Sequence, residues 1–255
     1  MKKYCLAAAL SMACLAPVAH ADTILGLYVG VDGWQSDNSG SFADSSNLQN
    51  FNFDDETFIS YYAALEHPVP LIPNLKLKYT ELELNGSTTL NDTFEFGDAD
   101  YVVGTDVMTM SDLSHIDYIL YYEIFDNDLV SIDLGINAKQ FDGEIMVTGT
   151  DQTSGANTIE QIDFSGFVPL VYGRADVGLP FTGLSVFFEG SLLAIDDSKV
   201  QDYQLGIAYA LLDNLAIDVD IKAGYREMTL ELDDVDNIYT DLDASGPFAG
   251  IQIHF

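Results

Sequence analysis

Cysteine is nearly missing from this chain. The 255 residues contain two, Cys5 and Cys14, both within the first 14 positions. Beyond them, disulfides, thiolate metal sites and cysteine nucleophiles are excluded. Basic residues are scarce too: Lys and Arg number 9 against 41 Asp and Glu, a formal net charge of −32. A surface of that sign repels phosphate backbones, which excludes nucleic acid as a partner. Beyond residue 21 no run approaches 18 uncharged apolar residues, so no transmembrane helix is expected there. Glycine-rich phosphate loops, Ser-x-x-Lys and His-Glu-x-x-His are also missing. What is present is apolar: 48% hydrophobic and 12% aromatic residues. That is too much for an acidic disordered chain, so the charge must be kept apart from apolar surface.

The first residues read as a secretory signal. Lys2 and Lys3 form a charged start, residues 4–16 an apolar core, and Ala19-His20-Ala21 a small-x-small cleavage site, which makes Asp22 the expected mature N-terminus. A lipoprotein site at Cys14 lacks the usual upstream leucine in Ser11-Met12-Ala13. An uncleaved anchor is disfavoured by the shortness of the run and by Pro17. The expected organisation is therefore a signal at 1–21 and one domain at 22–255. After cleavage 7 basic groups face 41 acidic ones.

The remainder alternates. Leu25, Leu27, Val29 and Val31 share one parity, while Gly26, Tyr28, Gly30 and Asp32 share the other. A strand sends alternate side chains to opposite faces, so this is one apolar and one mixed face. The pattern returns at residues 59–65, 75–79, 116–124, 130–138, 167–177, 184–192, 203–209, 215–225 and 249–255, which predicts ten strands. Eight or twelve are the alternatives, because 85–114 and 142–163 could extend strands or hide a hairpin. Residues 89–96 and 144–148 alternate in part and are expected to prolong strands.

Connections alternate between short (67–74, 126–128, 180–183, 211–214) and long (35–57, 85–114, 142–163, 195–199, 227–245). The long segments carry 25 acidic groups and one basic group, Lys199. Short turns at one rim and long acidic loops at the other are the layout of an up-and-down transmembrane antiparallel β-barrel with periplasmic turns. A water-soluble barrel would alternate equally, with apolar residues inward. Tyrosines on the apolar face near strand ends (Tyr61, Tyr79, Tyr118, Tyr122, Tyr203, Tyr209, Tyr225) favour the membrane version, as a girdle requires.

The end of the chain resembles the C-terminal signal of Gram-negative outer-membrane β-barrel proteins, a terminal aromatic preceded by apolar residues at alternate positions. Phe255, Ile253, Ile251 and Ala249 match, whereas Pro247 departs from the pattern. In layout, 22–255 is similar to small single-chain barrels of unassigned activity. The resemblance implies location in the cell outer membrane, delivery by periplasmic chaperones and the barrel-assembly machinery, and contact with outer-membrane lipid and lipopolysaccharide. A monomer is favoured, and no cofactor is implied.

Apart from Lys199, the basic residues of 22–255 (Lys76, Lys78, Lys139, Arg174, Lys222, Arg226) all fall on the polar face. Hairpin arithmetic pairs Glu66 with Lys76, Arg174 with Glu189, and Asp202 with Lys222. Opposite charges across an antiparallel pair are favourable neighbours, so the expected lumen is charge-paired and plugged, with a structural or surface-interaction role. The alternative is a narrow channel for small solutes. An outer-membrane protease or lipid hydrolase would need a histidine base near the outer rim; only His115, beside Ser114 and near Asp117, is so placed, and a non-enzyme is expected. Asp54-Asp55-Glu56 and Asp233-Asp234-Val235-Asp236 offer hard oxygens suited to calcium, but not at EF-hand spacing, so no metal residue is assigned.

Overall fold

A computed structural model describes residues 25–44, 47–127, 129–195, 198–214, 217–235 and 238–255. The signal segment, with Cys5, Cys14, Ala19, Ala21 and Asp22, lies outside them. So do Asp236 and the side chains of Asp233 and Asp234.

Every element among the described residues is a strand. Ten form the ring: β1 (Gly26–Ala43), β3 (Glu56–Glu66), β4 (Asn74–Thr80), β9 (His115–Asp126), β10 (Val130–Thr150), β11 (Asn157–Leu179), β12 (Leu184–Ile195), β13 (Ser198–Leu212), β14 (Asp218–Val235) and β15 (Ile238–His254). Each pairs antiparallel with its neighbours in that order, and β15 closes on β1 through a ladder from Tyr28–His254 to Ala43–Tyr239. Closure leaves no edge around the lower ring, which removes the unpaired backbone groups an open sheet would carry. The ten strands are those the alternation predicts.

The long connections differ from expectation. Most of 35–57, 142–163 and 227–245 is strand, continuing the same wall upward. Three further strands complete that upper wall: β2 (Gln49–Phe53), β5 (Glu83–Thr89) and β8 (Asp106–Asp112), joined in the order β1-β2-β5-β8-β10. They continue β3, β4 and β9 past two-residue breaks. Each break keeps its backbone satisfied: Asn38 donates to the Asp54 carbonyl at 2.8 Å, and the Leu113 amide donates to the Leu82 carbonyl at 2.7 Å. Of the two expected prolongations, 144–148 is strand paired with β8. Residues 89–96 instead end β5 and enter a separate hairpin, β6 (Phe94–Phe96) with β7 (Ala99–Tyr101).

Two environments are stacked along one wall. At the end holding Leu25 and Phe255, the outer surface is an apolar belt: Leu134, Ile136, Phe167, Val171, Leu205 and Ile207 are all exposed. Inward neighbours there are polar and buried, including Asp32, Lys76, Asp117, Lys139, Glu189 and Arg226. Toward the far end the polarity inverts. Trp34, Phe42, Phe51, Leu84, Ile145, Val147 and Leu230 point inward and are buried, while the outer face is polar. The upper half thus packs like a soluble barrel on top of a barrel with an apolar exterior.

Candidate functional site

The interior is the chemically distinctive part, and it has four levels. At the terminal end a vestibule of about 240 Å³ is lined by Tyr28, Tyr62, Tyr121 and Tyr172 together with Glu66, Glu123, Asp133, Asp176, Lys76 and Arg174. Asp133 is buried, and its Oδ1 has no hydrogen-bond partner. The Tyr121 hydroxyl donates to Glu66 at 2.7 Å.

Above it lies an ion network that crosses the lumen. Lys76 on β4 reaches Glu189 on β12. Glu189 also accepts from Arg174 Nη1 at 3.3 Å, Tyr172 at 3.1 Å and Gln204 at 3.1 Å. Arg174 is clamped from its other side by Asp176 at 2.7 and 3.0 Å. Asp202 takes a two-point contact from Arg226 at 2.8 and 2.9 Å, and Lys139 at 3.1 Å. Lys139 in turn reaches Asp117 at 3.0 Å. The Arg226 guanidinium also donates to Ser60 and Thr80 and lies over the Trp34 ring at 4.6 Å. Buried charges that keep partners on several sides avoid the cost of an uncompensated ion.

The third level is the apolar core. The fourth is the β6–β7 hairpin, whose Phe94 and Phe96 side chains turn down into the mouth and pack on Phe42 and Phe51 at ring separations of 5.7–6.3 Å, with Tyr101 stacked on Phe94 at 6.0 Å. The Tyr101 hydroxyl donates to the Val147 carbonyl at 3.0 Å. Burial and the nearby Glu160 push its pKa up to about 12.

The three expected pairs fare differently. Arg174 stands opposite Glu189 in the ladder and contacts it. Glu66 and Lys76 do not pair: β3 and β4 are joined in the register Ala64–Lys76, two residues from the one assumed, because the 67–73 turn is shorter than a Glu66–Lys76 pair requires. Asp202 and Lys222 also do not pair. The β13–β14 ladder closes at Leu212–Val219, past the assumed 211–214 turn, so that Ala208 faces Lys222 and Asp202 faces Met228. Lys222 instead binds Asp32 at 3.0 Å and the Tyr62 hydroxyl at 2.9 Å. The partners Lys76–Glu189, Lys139–Asp202 and Lys222–Asp32 were missed because they join strands that are not hairpin neighbours, whereas Lys139–Asp117, directly opposed across the β9–β10 hairpin, was within reach of the same arithmetic.

His115 is 2% exposed, on the inner wall between the ion network and Phe141. Its Nδ1 lies 2.9 Å from the Leu113 carbonyl. Ser114 Oγ accepts from the Leu82 amide at 3.1 Å, so the two side chains are not assembled as nucleophile and base. His115, Asp117 and Asp202 lie close enough to hold a metal ion, but the Lys139 ammonium already sits between the two carboxylates. Asp54 and Asp55 are exposed at the β2–β3 break, and Glu56 accepts from Asn85 at 3.2 Å. Phe255, Ile253, Ile251 and Ala249 run along the closing strand, and the Phe255 amide donates to the Leu27 carbonyl at 2.9 Å.

No protein-family model matches the chain, and no curated protein matches it. Among solved structures, it is similar to Neisserial surface protein A (14% identity, TM-score 0.30, covering 90% of this chain and 97% of that one). It is also similar to the translocator domain of autotransporter NalP from Neisseria meningitidis (11%, 0.41, 98% and 97%). A third is Ail, the attachment invasion locus protein of Yersinia pestis (10%, 0.33, 91% and 100%). All three are outer-membrane β-barrels; the likeness is one of strand layout and carries no chemistry.

Proposed function

We propose that this chain is an integral outer-membrane barrel with a sealed lumen, displaying an acidic extracellular body in a structural or surface-interaction role. The observation that carries the reading is the continuous filling of the interior. Hairpin, apolar core and ion network lie in series, and the vestibule below them is blind. The exterior supports the membrane placement: an apolar belt with tyrosines near its margins is what a bilayer selects, and the acidic upper wall is what water selects. The short turns and the terminus would then face the periplasm. Phe255, Ile253, Ile251 and Ala249 would serve as the strand read by the assembly machinery after chaperone delivery. Outer-membrane lipid and lipopolysaccharide would be the immediate surroundings, of a monomer that needs no cofactor.

Single-channel recording in a planar bilayer tests this. The expected result is no steady conductance, in the intact protein and equally in Arg174→Met/Glu189→Met, because the apolar core still closes the lumen. A large, stable conductance from the intact protein would replace the sealed barrel with a solute channel.

A further inference from the structure

The wall is uneven in height, and its lowest point opens onto an apolar pocket. The β12–β13 ladder reaches no higher than the Ile195–Ser198 pair. β11 pairs with β12 only from Leu179 up to Val171, so residues 157–170 have a ladder partner on one side alone, in β10. β14 likewise loses β13 above Glu231. Three strand spacings separate β11 from β14 at the hairpin, a notch roughly 14 Å wide along the wall.

Behind the notch lies a pocket of about 220 Å³. Phe141, Ile145, Leu113 and Leu230 form its buried floor; Phe164, Val168 and Leu232 edge its mouth; no charged residue lines it. Gly166 explains why the space exists. It has the inward parity of Phe164 and Val168 and faces Phe141 in the ladder. A Cβ placed on it would meet nothing within 4 Å. Just outside, Phe167 is 64% and Val171 68% exposed, so apolar surface continues from the outer belt into the pocket.

We infer that this notch is a binding site for one alkyl chain, offered by a phospholipid or by a free amphiphile. The inference goes beyond the sealed-barrel reading and does not depend on it. An apolar cavity of about 150 Å³ holds benzene, so this one accommodates roughly six to eight methylene groups. Strand addition by a second copy is disfavoured: Pro169 offers no N–H on the open edge, and Glu160 and Asp163 place charge along it. The floor is closed, because Phe141 contacts the His115 ring at a 5.3 Å centroid distance above the ion network. The site binds a chain and does not conduct it.

Two measurements test this on the full barrel. Decan-1-ol is titrated calorimetrically into protein held in amphipol, and native mass spectrometry scores phospholipid retained from phosphatidylethanolamine–phosphatidylglycerol vesicles. One saturable site is expected in at least one arm, weakened tenfold or more by Gly166→Phe, which fills the pocket, and by Leu232→Asn, which makes its mouth polar. Saturation by decanol alone assigns a free amphiphile, retention alone assigns lipid, and both support the alkyl class. Heat-modifiable gel mobility reports folding of each variant, so Leu232→Asn decides the matter if Gly166→Phe fails to fold. Equal binding by wild type and a folded pocket variant, or no saturable binding in either arm, overturns the proposal.

Discussion

The cleanest electrostatic experiment in this barrel is the pair Asp32–Lys222, because each has the other as its sole charged partner among the ion pairs of the described residues. Both side chains are buried, at 6% and 5% exposure. They sit on β1 and β14, with β15 between them, in one ladder row through Gly250. A Cβ at Gly250 would collide with the Asp32 carboxylate, so the glycine is what lets the two charges meet across a strand. At 3.0 Å and an effective dielectric near 20, the attraction is about 5 kcal/mol before desolvation is charged against it. Asp32→Asn leaves Lys222 with only the Tyr62 hydroxyl, and Lys222→Met leaves a buried carboxylate. Each single should cost about 3 kcal/mol, the scale of stripping one partner from a buried pair. The double variant buries no charge and should also cost about 3 kcal/mol, which is about 3 kcal/mol less than additive. Equilibrium urea unfolding of the refolded barrel in detergent, followed by Trp34 fluorescence and gel mobility, reads all four corners. Strict additivity, about 6 kcal/mol for the double, would refute the pairing and with it the β14–β15–β1 register.

Three further outcomes follow from the same geometry. Ile136→Arg, on the belt, should destabilise the refolded barrel by about 2–4 kcal/mol in lipid vesicles; tolerance would mean that this face does not meet lipid. Phe94→Ala removes a buried ring from the hairpin that fills the mouth and should cost about 3–5 kcal/mol or release the hairpin to protease; unchanged cleavage and stability would show that the hairpin does not hold the core. In the β10–β11 turn, hydrogen bonds from Ser154 and Thr153 hold the exposed Asp151 carboxyl below its ordinary pKa. A depressed folded pKa gives stability that is present above the unfolded value and lost as pH falls through the folded one. Amide-exchange protection of Ser154 should therefore persist at neutral pH and fall away only in acid, and Asp151→Ala should abolish it at every pH.

Local pattern made the ring legible. All ten strands, the outward side of Ile132, Leu134 and Ile136, and the inward side of Asp133 and Lys139 follow from period-two alternation, because a pleat has only two faces. The upper barrel was readable in principle. Along β10 the apolar residues change parity, from even positions 132–138 to odd positions 141, 145 and 147. Since the strand does not turn over, the surroundings must: lipid-like outside below, packed core inside above. What alternation could not supply was depth and partnership. Glu189 has Lys76, 113 positions away, because barrel closure brings β4 and β12 across a narrow lumen. Lys222 missed Asp202 because the β13–β14 ladder closes at Leu212–Val219, past the turn that alternation suggested. The alkyl pocket exists because β12 and β13 end low beside a taller β11, and because position 166 has no side chain. Parity is a property of each strand alone, and the sequence determines it; register, height and closure belong to the assembled wall, where turn length, bulges and the meeting of distant strands decide which charges touch and where the wall stays open.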